Sequence, residues 1–431
     1  MKVKVRKILR ETYSVCPVCL KRIAARHVQS GGAVYMEKTC PEHGKFSTVI
    51  WRGKRDMAAW RGDTEPIREG ENLNCPAACG LCPEHQQGTC CVLLEVTSRC
   101  NLRCKFCFAG AGGGEDVPFE KVRADLKALA VPGQTLVQLS GGEPTVRSDL
   151  PEIIAAAKEA GCRYVQLNTN GIRLGEDEGY VRQLADAGLS FVFMQFDGLD
   201  DRIYEALRGR KLIDVKKRAI ENCAKYNLGV TLVPTLVPRV NTHEIGEIIR
   251  FAVSQSPAVR GVHFQPVSYF GRIPKPPEDS ARFTLGELID AVEEQAGDIV
   301  PEGSISPSRC DHPLCGFHGD YIVLPGGQLK ALRTNKQSCC CTPKTTTAAQ
   351  NRAFVARKWE RPKDVQDGKD DDIGTLDGFL RRIKTHSFTL TAMAFQDAGN
   401  LDLERLRRCS LHVFVDGRFV PFCAHYLSAF K

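Results

Sequence analysis

Between about residues 92 and 270, short apolar runs alternate with longer segments whose apolar residues recur every three or four positions. The runs Val92–Thr97, Leu136–Leu139, Arg163–Asn168, Ser190–Phe196, Val230–Leu236 and Gly261–Val267 predict strands. The segments Phe119–Ala130, Leu150–Ala160, Tyr180–Ala187, Val215–Tyr226 and Thr242–Ser254 predict helices. Strand–helix units in series specify parallel strands joined by right-handed crossovers, an α/β fold built as a partial barrel or a doubly wound sheet. In such folds the chemistry gathers at the C-terminal ends of the strands. The proline-rich stretch Ser268–Ser280 is expected to be an exit linker.

The flanks have a different rhythm. Residues 1–53 alternate around Ala33-Val34-Tyr35 and read as a small β module, whereas 54–91 have no strand pattern. In 281–431 a helix is expected over Thr284–Gln295, and hairpin turns at Pro325-Gly326-Gly327 and Asp416-Gly417, giving an α+β cysteine-rich domain.

Composition narrows the class. The 431 residues suffice for two or three domains, and no stretch approaches the ~18 uncharged apolar residues of a spanning helix. The start has charge but no apolar run with a cleavage site, so no secretory leader is expected and the protein is expected to be cytoplasmic. The net charge of +8, with basic clusters at Arg381–Lys384 and Arg405–Arg408, suits an anionic substrate, a phosphate headgroup or peripheral contact with a membrane. For any single cluster, a solvated helix face is the simpler explanation.

The 20 cysteines change the picture most. In a reducing compartment clustered thiols favour metal over disulfides. Cys16 and Cys19, then Cys40 and His43, form two knuckles around a short hairpin, a zinc-ribbon or rubredoxin-like site for Zn or a mononuclear Fe. Cys75, Cys79 and Cys82 repeat the C-x3-C-x2-C spacing of Cys100, Cys104 and Cys107. Three thiolates on one loop hold three irons of a cubane cluster and leave the fourth open. Only the second triplet directly follows a strand. Phe106 puts a ring beside it, and Gly141-Gly142-Glu143-Pro144 ends the next strand. The two glycines allow close backbone approach to a bound molecule, and exposed carbonyls or Glu143 offer acceptors to an ammonium group.

A C-x3-C-x-aromatic-C loop after the first strand, with Gly-Gly-Glu-Pro after the second, resembles the radical S-adenosylmethionine (SAM) superfamily over about 92–270. The resemblance implies a TIM-type partial (β/α)6 barrel. Cys100, Cys104 and Cys107 would hold a [4Fe–4S] cluster whose open iron chelates SAM, with Gly141, Gly142, Glu143 and Pro144 around the SAM amino group. An electron from a low-potential ferredoxin or flavodoxin would cleave SAM to a hydrogen-abstracting 5′-deoxyadenosyl radical. Asn168, Asn170, Gln195, Asp197 and Gln265 would meet SAM or substrate at the barrel mouth, or merely cap strand ends.

The terminal modules resemble one branch of that superfamily, containing tetraether lipid synthases and methyltransferases acting on a reduced pterin. That implies an auxiliary [4Fe–4S] cluster on Cys75, Cys79, Cys82 and either Cys90 or Cys91, with Cys90 favoured. Another would use Cys310, Cys315, Cys409 and Cys423, with one of Cys339–Cys341 as a substitute. Cys162 and Cys223 read as core residues. The expected activity is C–H activation with C–C bond formation on a lipid or other apolar substrate. The alternative is methyl transfer to a pterin or other heterocycle. A zinc-ribbon nucleic-acid-binding protein is a third reading, which the Gly-Gly-Glu-Pro strand end speaks against. Oxygen-labile clusters imply an anaerobic source.

Overall fold

A computed structural model describes residues 6–62, 75–77, 79–332, 346–362 and 373–430. Residues 7–51 form an antiparallel four-stranded meander, Lys7–Val15, Arg22–Ser30, Ala33–Cys40 and Gly44–Trp51. The two knuckles sit at its first and third turns, so the strands themselves deliver Cys16, Cys19, Cys40 and His43 to one end of the sheet.

Each of the six apolar runs is a strand: Cys91–Arg99, Leu136–Gly141, Tyr164–Thr169, Phe191–Gln195, Gly229–Val233 and Val259–Pro266, pairing in parallel in chain order. Helices Phe119–Leu129, Leu150–Glu159, Glu178–Asp186, Ile213–Lys225 and Ile245–Ser254 follow the strands at helical period. Their apolar faces and the strands share the largest core, which includes Leu126, Ile153, Leu184, Ile220 and Ile249 on the helices and Leu139, Leu167 and Val192 on the strands. Cys162 and Cys223 are buried in that core.

Two features of the sequence reading change. The region beyond 281, expected as a domain of its own, completes the sheet. Ser387–Ala392 pairs in parallel with the sixth strand, and Leu411–Val415 in parallel with the first. An open barrel exposes unpaired backbone groups on both edges, and these two strands cover them. An antiparallel strand, Phe317–Val323, lies outside the first of these and the hairpin partner Arg418–Pro421 outside the second. The second change concerns Ser268–Ser280, which is a strap rather than an exit linker. Arg272 and Cys107 exchange both backbone hydrogen bonds, and the Arg272 side chain donates to the Cys104 and Ala111 carbonyls. Gly271 has φ +63°, and a Cβ there would lie 2.3 Å from the Phe108 carbonyl oxygen, so the strap needs glycine to come this close.

The ribbon is fastened to the rest. A Cβ on Gly286 would meet the Arg52 carbonyl oxygen at 2.3 Å, so the N-terminus of helix Leu285–Ala296 abuts the last ribbon strand. Buried His27 faces Asp402 at 3.2 Å, Thr12 donates to Asp402 at 2.7 Å, and Lys38 donates to the Ala398 carbonyl. Among the described residues no helix is long and apolar enough to cross a membrane.

Candidate active site and metal centres

Strand Cys91–Arg99 ends one residue before Cys100, so its thiol loop rides on the C-terminal rim of the barrel. Cys100, Cys104 and Cys107 all line one cavity of about 660 Å³. Burial pushes the Cys100 thiol up to about 11. An all-sulfur donor set on one loop fits an iron–sulfur cluster.

The Gly-Gly-Glu-Pro turn lies against that loop. Gly142 N–H donates to the Thr97 carbonyl at 2.7 Å, and Glu143 N–H to the Arg99 carbonyl at 2.9 Å. A Cβ on Gly141 would lie 2.2 Å from the Thr97 oxygen, and one on Gly142 2.0 Å from the Arg99 oxygen. These glycines allow a close approach to the strand leading into the thiol loop. Pro144 then opens a short 3-10 turn capped by Glu143.

Glu143 is buried, and its carboxylate accepts from Thr145 N–H (3.1 Å), Thr145 Oγ1 (2.7 Å), Thr169 Oγ1 (2.6 Å) and Asn170 N–H (2.6 Å). Burial raises its pKa against those hydrogen bonds. It braces the second strand end to the third. Asn170 extends the brace: its amide donates to the Asn101 side chain in the thiol loop at 2.7 Å, and its oxygen accepts Ile172 N–H. Asn168 faces the cavity beside Gln138 and accepts from Gln166. Gln195 and Gln265 also line it, and Gln195 takes a hydrogen bond from Lys216. Phe106 lines it with its ring edge-on to Tyr269 at 5.9 Å.

Asp197 is different. It is fully buried and grips Arg208 through two hydrogen bonds of 2.7 Å, while accepting Thr235 N–H. The cavity-facing group is Arg208, which also reaches the Cys104 thiol. Nothing in the local pattern singles out Arg208: it ends the amphipathic helix Asp201–Arg208, where an arginine reads as solvated. Lys216, missed for the same reason, is fully buried, donates to the Asn170 and Gln195 carbonyls, and is pushed down to about 7 by burial. His263 is lowered to about 4 by burial, so it lines the cavity as a neutral ring hydrogen-bonded to Thr391.

In the ribbon, the ligand atoms of Cys16, Cys19, Cys40 and His43 all lie within 4.8 Å of one another. Three sulfurs and one imidazole nitrogen at this spacing fit a tetrahedral zinc site.

The remaining thiols regroup relative to expectation. Cys75 and Cys79 hydrogen-bond to each other, with Cys82 and Cys409 near enough for their charges to bear on Cys79. Cys90, expected with that triplet, instead packs with Cys310 and lies 3.9 Å from the Cys91 sulfur. Cys91 begins the first barrel strand, which carries Cys90 to the opposite end of that strand from Cys100. Cys310 also hydrogen-bonds Ser410, next to Cys409, while Cys315, Cys409 and Cys423 are near enough for their charges to bear on one another and Arg405 donates to Cys315 at 3.5 Å. Cys339–Cys341 lie outside the described residues. An aromatic cluster separates the two C-x3-C-x2-C loops. Phe108 meets Tyr426 at 4.9 Å and Phe422 at 5.4 Å, and Phe422 shares a core with Cys75.

Residues 94–252 match the family model described as Radical SAM superfamily, and residues 8–52 match that of the HMPTM N-terminal zinc ribbon domain. The chain belongs to the radical SAM superfamily, and membership implies a [4Fe–4S] cluster and SAM. It is 34% identical, over 96% of its length and 93% of the relative's, to 7,8-dihydro-6-hydroxymethylpterin dimethyltransferase of Methanocaldococcus jannaschii. It is 31% identical to Fe-coproporphyrin III synthase of Methanosarcina barkeri, over 52% of this chain and 56% of that one. Among solved structures, Streptococcus suis SuiB bound to its precursor peptide SuiA aligns with TM-score 0.39 at 18% identity, over 49% of this chain and 47% of that one.

Proposed function

We propose that the chain cleaves SAM reductively at the Cys100–Cys104–Cys107 loop and uses the resulting radical chemistry to methylate carbon on a reduced pterin-type heterocycle. The observation that carries the reading is the backbone bonding of the Gly-Gly-Glu-Pro turn to the strand entering the thiol loop, which fixes both on one cavity wall. The cluster supplies, when bound, an open iron and one electron for breaking the SAM sulfonium bond. The chain's own residues position and enclose. Backbone carbonyls of the Gly141–Glu143 turn accept from the SAM ammonium, while Glu143, saturated by its four donors, keeps the turn in place. Arg208, pre-aligned by Asp197, is the cation for the SAM carboxylate. Asn168, Gln195 and Gln265 present polar groups to the ribose or the heterocycle, and His263, held neutral, adds a hydrogen-bonding ring deeper in the cavity. The zinc ribbon is structural, and the Cys75, Cys90 and Cys315 groups are candidates for auxiliary clusters.

The heterocycle comes from the relative that matches almost the whole chain. A second reading, carbon–carbon coupling on a lipid alkyl chain, is favoured by the apolar wall of Phe193, Phe317, Phe354 and Trp359 in the same cavity. Methyl-deuterated SAM separates the two. Methylation predicts a pterin carrying the label, whereas a product that has lost hydrogens and gained no labelled carbon supports coupling and overturns methylation.

A further inference from the structure

A second large cleft, of about 920 Å³, runs between the outer face of the ribbon and helix Leu403–Arg407. Eight lysines and arginines line it against three glutamates. Arg6, Arg26 and Lys45 are exposed at its rim, and Arg10, Arg22 and Arg61 are half-buried along it. Ion pairs absorb much of this charge: Glu37 serves Arg6 and Arg26, Glu404 serves Arg10 and Arg61, Asp402 also faces Arg10, and Glu84 serves Arg407. The eight cations still outnumber these four carboxylates and the lining Glu11, so the cleft keeps a net positive formal charge. Its position gives it a use. Arg22 and Arg407 line the cleft and also bear electrostatically on the Cys75 thiol, so the cleft opens beside the first C-x3-C-x2-C loop. That loop is in turn joined to the Cys107 region through Phe422, Tyr426 and Phe108.

We propose that this cleft is the docking surface for an acidic, low-potential electron-carrier protein, which delivers single electrons to a redox site on the Cys75–Cys79–Cys82 loop. The inference rests on the function proposed above, since SAM cleavage consumes one electron per event. The step balances simply: the reduced carrier loses one electron, the site on the loop gains it, and no bond or proton moves. Charge complementarity steers such encounters and makes them salt-sensitive. Docking at the ribbon leaves the barrel mouth free for SAM and substrate.

The test uses full-length holoprotein and, as probe, an acidic [4Fe–4S] ferredoxin. Binding is read by anisotropy of the labelled ferredoxin at several salt concentrations, and electron delivery by 5′-deoxyadenosine formed with reduced ferredoxin or with dithionite. The double variant Arg26→Glu/Lys45→Glu lies on exposed ribbon positions, and its zinc content reports whether the ribbon is intact. The expected result is binding weakened roughly tenfold at low salt, a shallower salt dependence and a matching loss of the ferredoxin-driven rate, with the dithionite-driven rate unchanged. Arg26→Lys/Lys45→Arg is expected to bind like the parent, and Lys45→Glu alone serves if the double variant loses zinc. Binding and ferredoxin-driven rate that ignore charge reversal would overturn the proposal, as would tighter binding of an oligonucleotide at the same cleft. A parent protein that makes no 5′-deoxyadenosine with dithionite would instead contradict the proposed function, and the binding comparison would still decide the docking claim.

Discussion

The amide of Glu143 donates to the carbonyl of Arg99 at 2.9 Å, one residue before the first cysteine of the Cys100–Cys107 thiol loop. The residue at the end of the second barrel strand thus sets the height and tilt of the thiol loop on the first. Glu143 is also tied through its carboxylate to Thr169 and Asn170 at the end of the third. Three strand ends are held as one rigid rim, which preorganises the site.

Gly142→Ala tests that rim. The added Cβ would sit 2.0 Å from the Arg99 oxygen, a backbone atom that cannot step aside without moving Cys100. Overpacking of this kind costs about 1–3 kcal/mol. The variant is expected to stay folded by circular dichroism, yet hold less iron per chain and make 5′-deoxyadenosine at least about tenfold more slowly, a change worth ~1.4 kcal/mol in barrier.

Arg208→Ala removes one partner of a buried, bidentate pair and leaves Asp197 charged and uncompensated. That costs about 3–5 kcal/mol of stability, read as a lower Tm. Arg208→Asn paired with Asp197→Asn relieves the unpaired charge, so it is expected to recover much of the Tm while SAM affinity stays weak. Recovery of affinity along with Tm would show Arg208 to be purely structural.

The ribbon quartet predicts one zinc per chain, bound more weakly as pH falls and protons compete for the ligand thiolates. Cys40→Ser is expected to lose the metal and loosen the sheet around Trp51, seen as a fluorescence change, with Cys100-loop iron retained. Metal analysis of parent and variant checks both.

Acid stability should respond to Glu404. Burial pushes its pKa up, but the His312 hydrogen bond and the Arg10 charge outweigh this and hold it at about 2. A depressed folded-state pKa stabilises the fold above the unfolded value of about 4.3, and the benefit is lost as pH falls from there towards about 2. Glu404→Gln is therefore expected to lower Tm at pH 7 and to flatten its fall between pH 5 and 3, as calorimetry would show. An unchanged slope would remove Glu404 from the acid response.

The barrel was legible because its helices and strands obey local periods, and the six apolar runs fall within a few residues of the strands. The thiol loop and its Gly-Gly-Glu-Pro neighbour were legible because each is a compact motif at a strand end. What stayed hidden depends on distant parts of the chain meeting. Cys90 and Cys310 are far apart in sequence, and only the pairing of Leu411–Val415 with the first strand and of Ser387–Ala392 with the sixth determines which thiols share a pocket. Asp197 looked like a cavity ligand because the alternation of its strand points it inward, and nothing nearby announces the arginine eleven residues on that claims it. The Ser268–Ser280 strap was misread because prolines and charge mimic a linker, while its function lies in backbone bonds to Cys107.

The central claim is that Cys100, Cys104 and Cys107 form a SAM-cleaving centre. It is tested most directly by incubating anaerobically reconstituted protein with dithionite and SAM and quantifying 5′-deoxyadenosine. The account predicts steady formation by the parent and none by Cys104→Ala, while that variant keeps its ribbon zinc. No 5′-deoxyadenosine from the parent, or as much from Cys104→Ala, would contradict it.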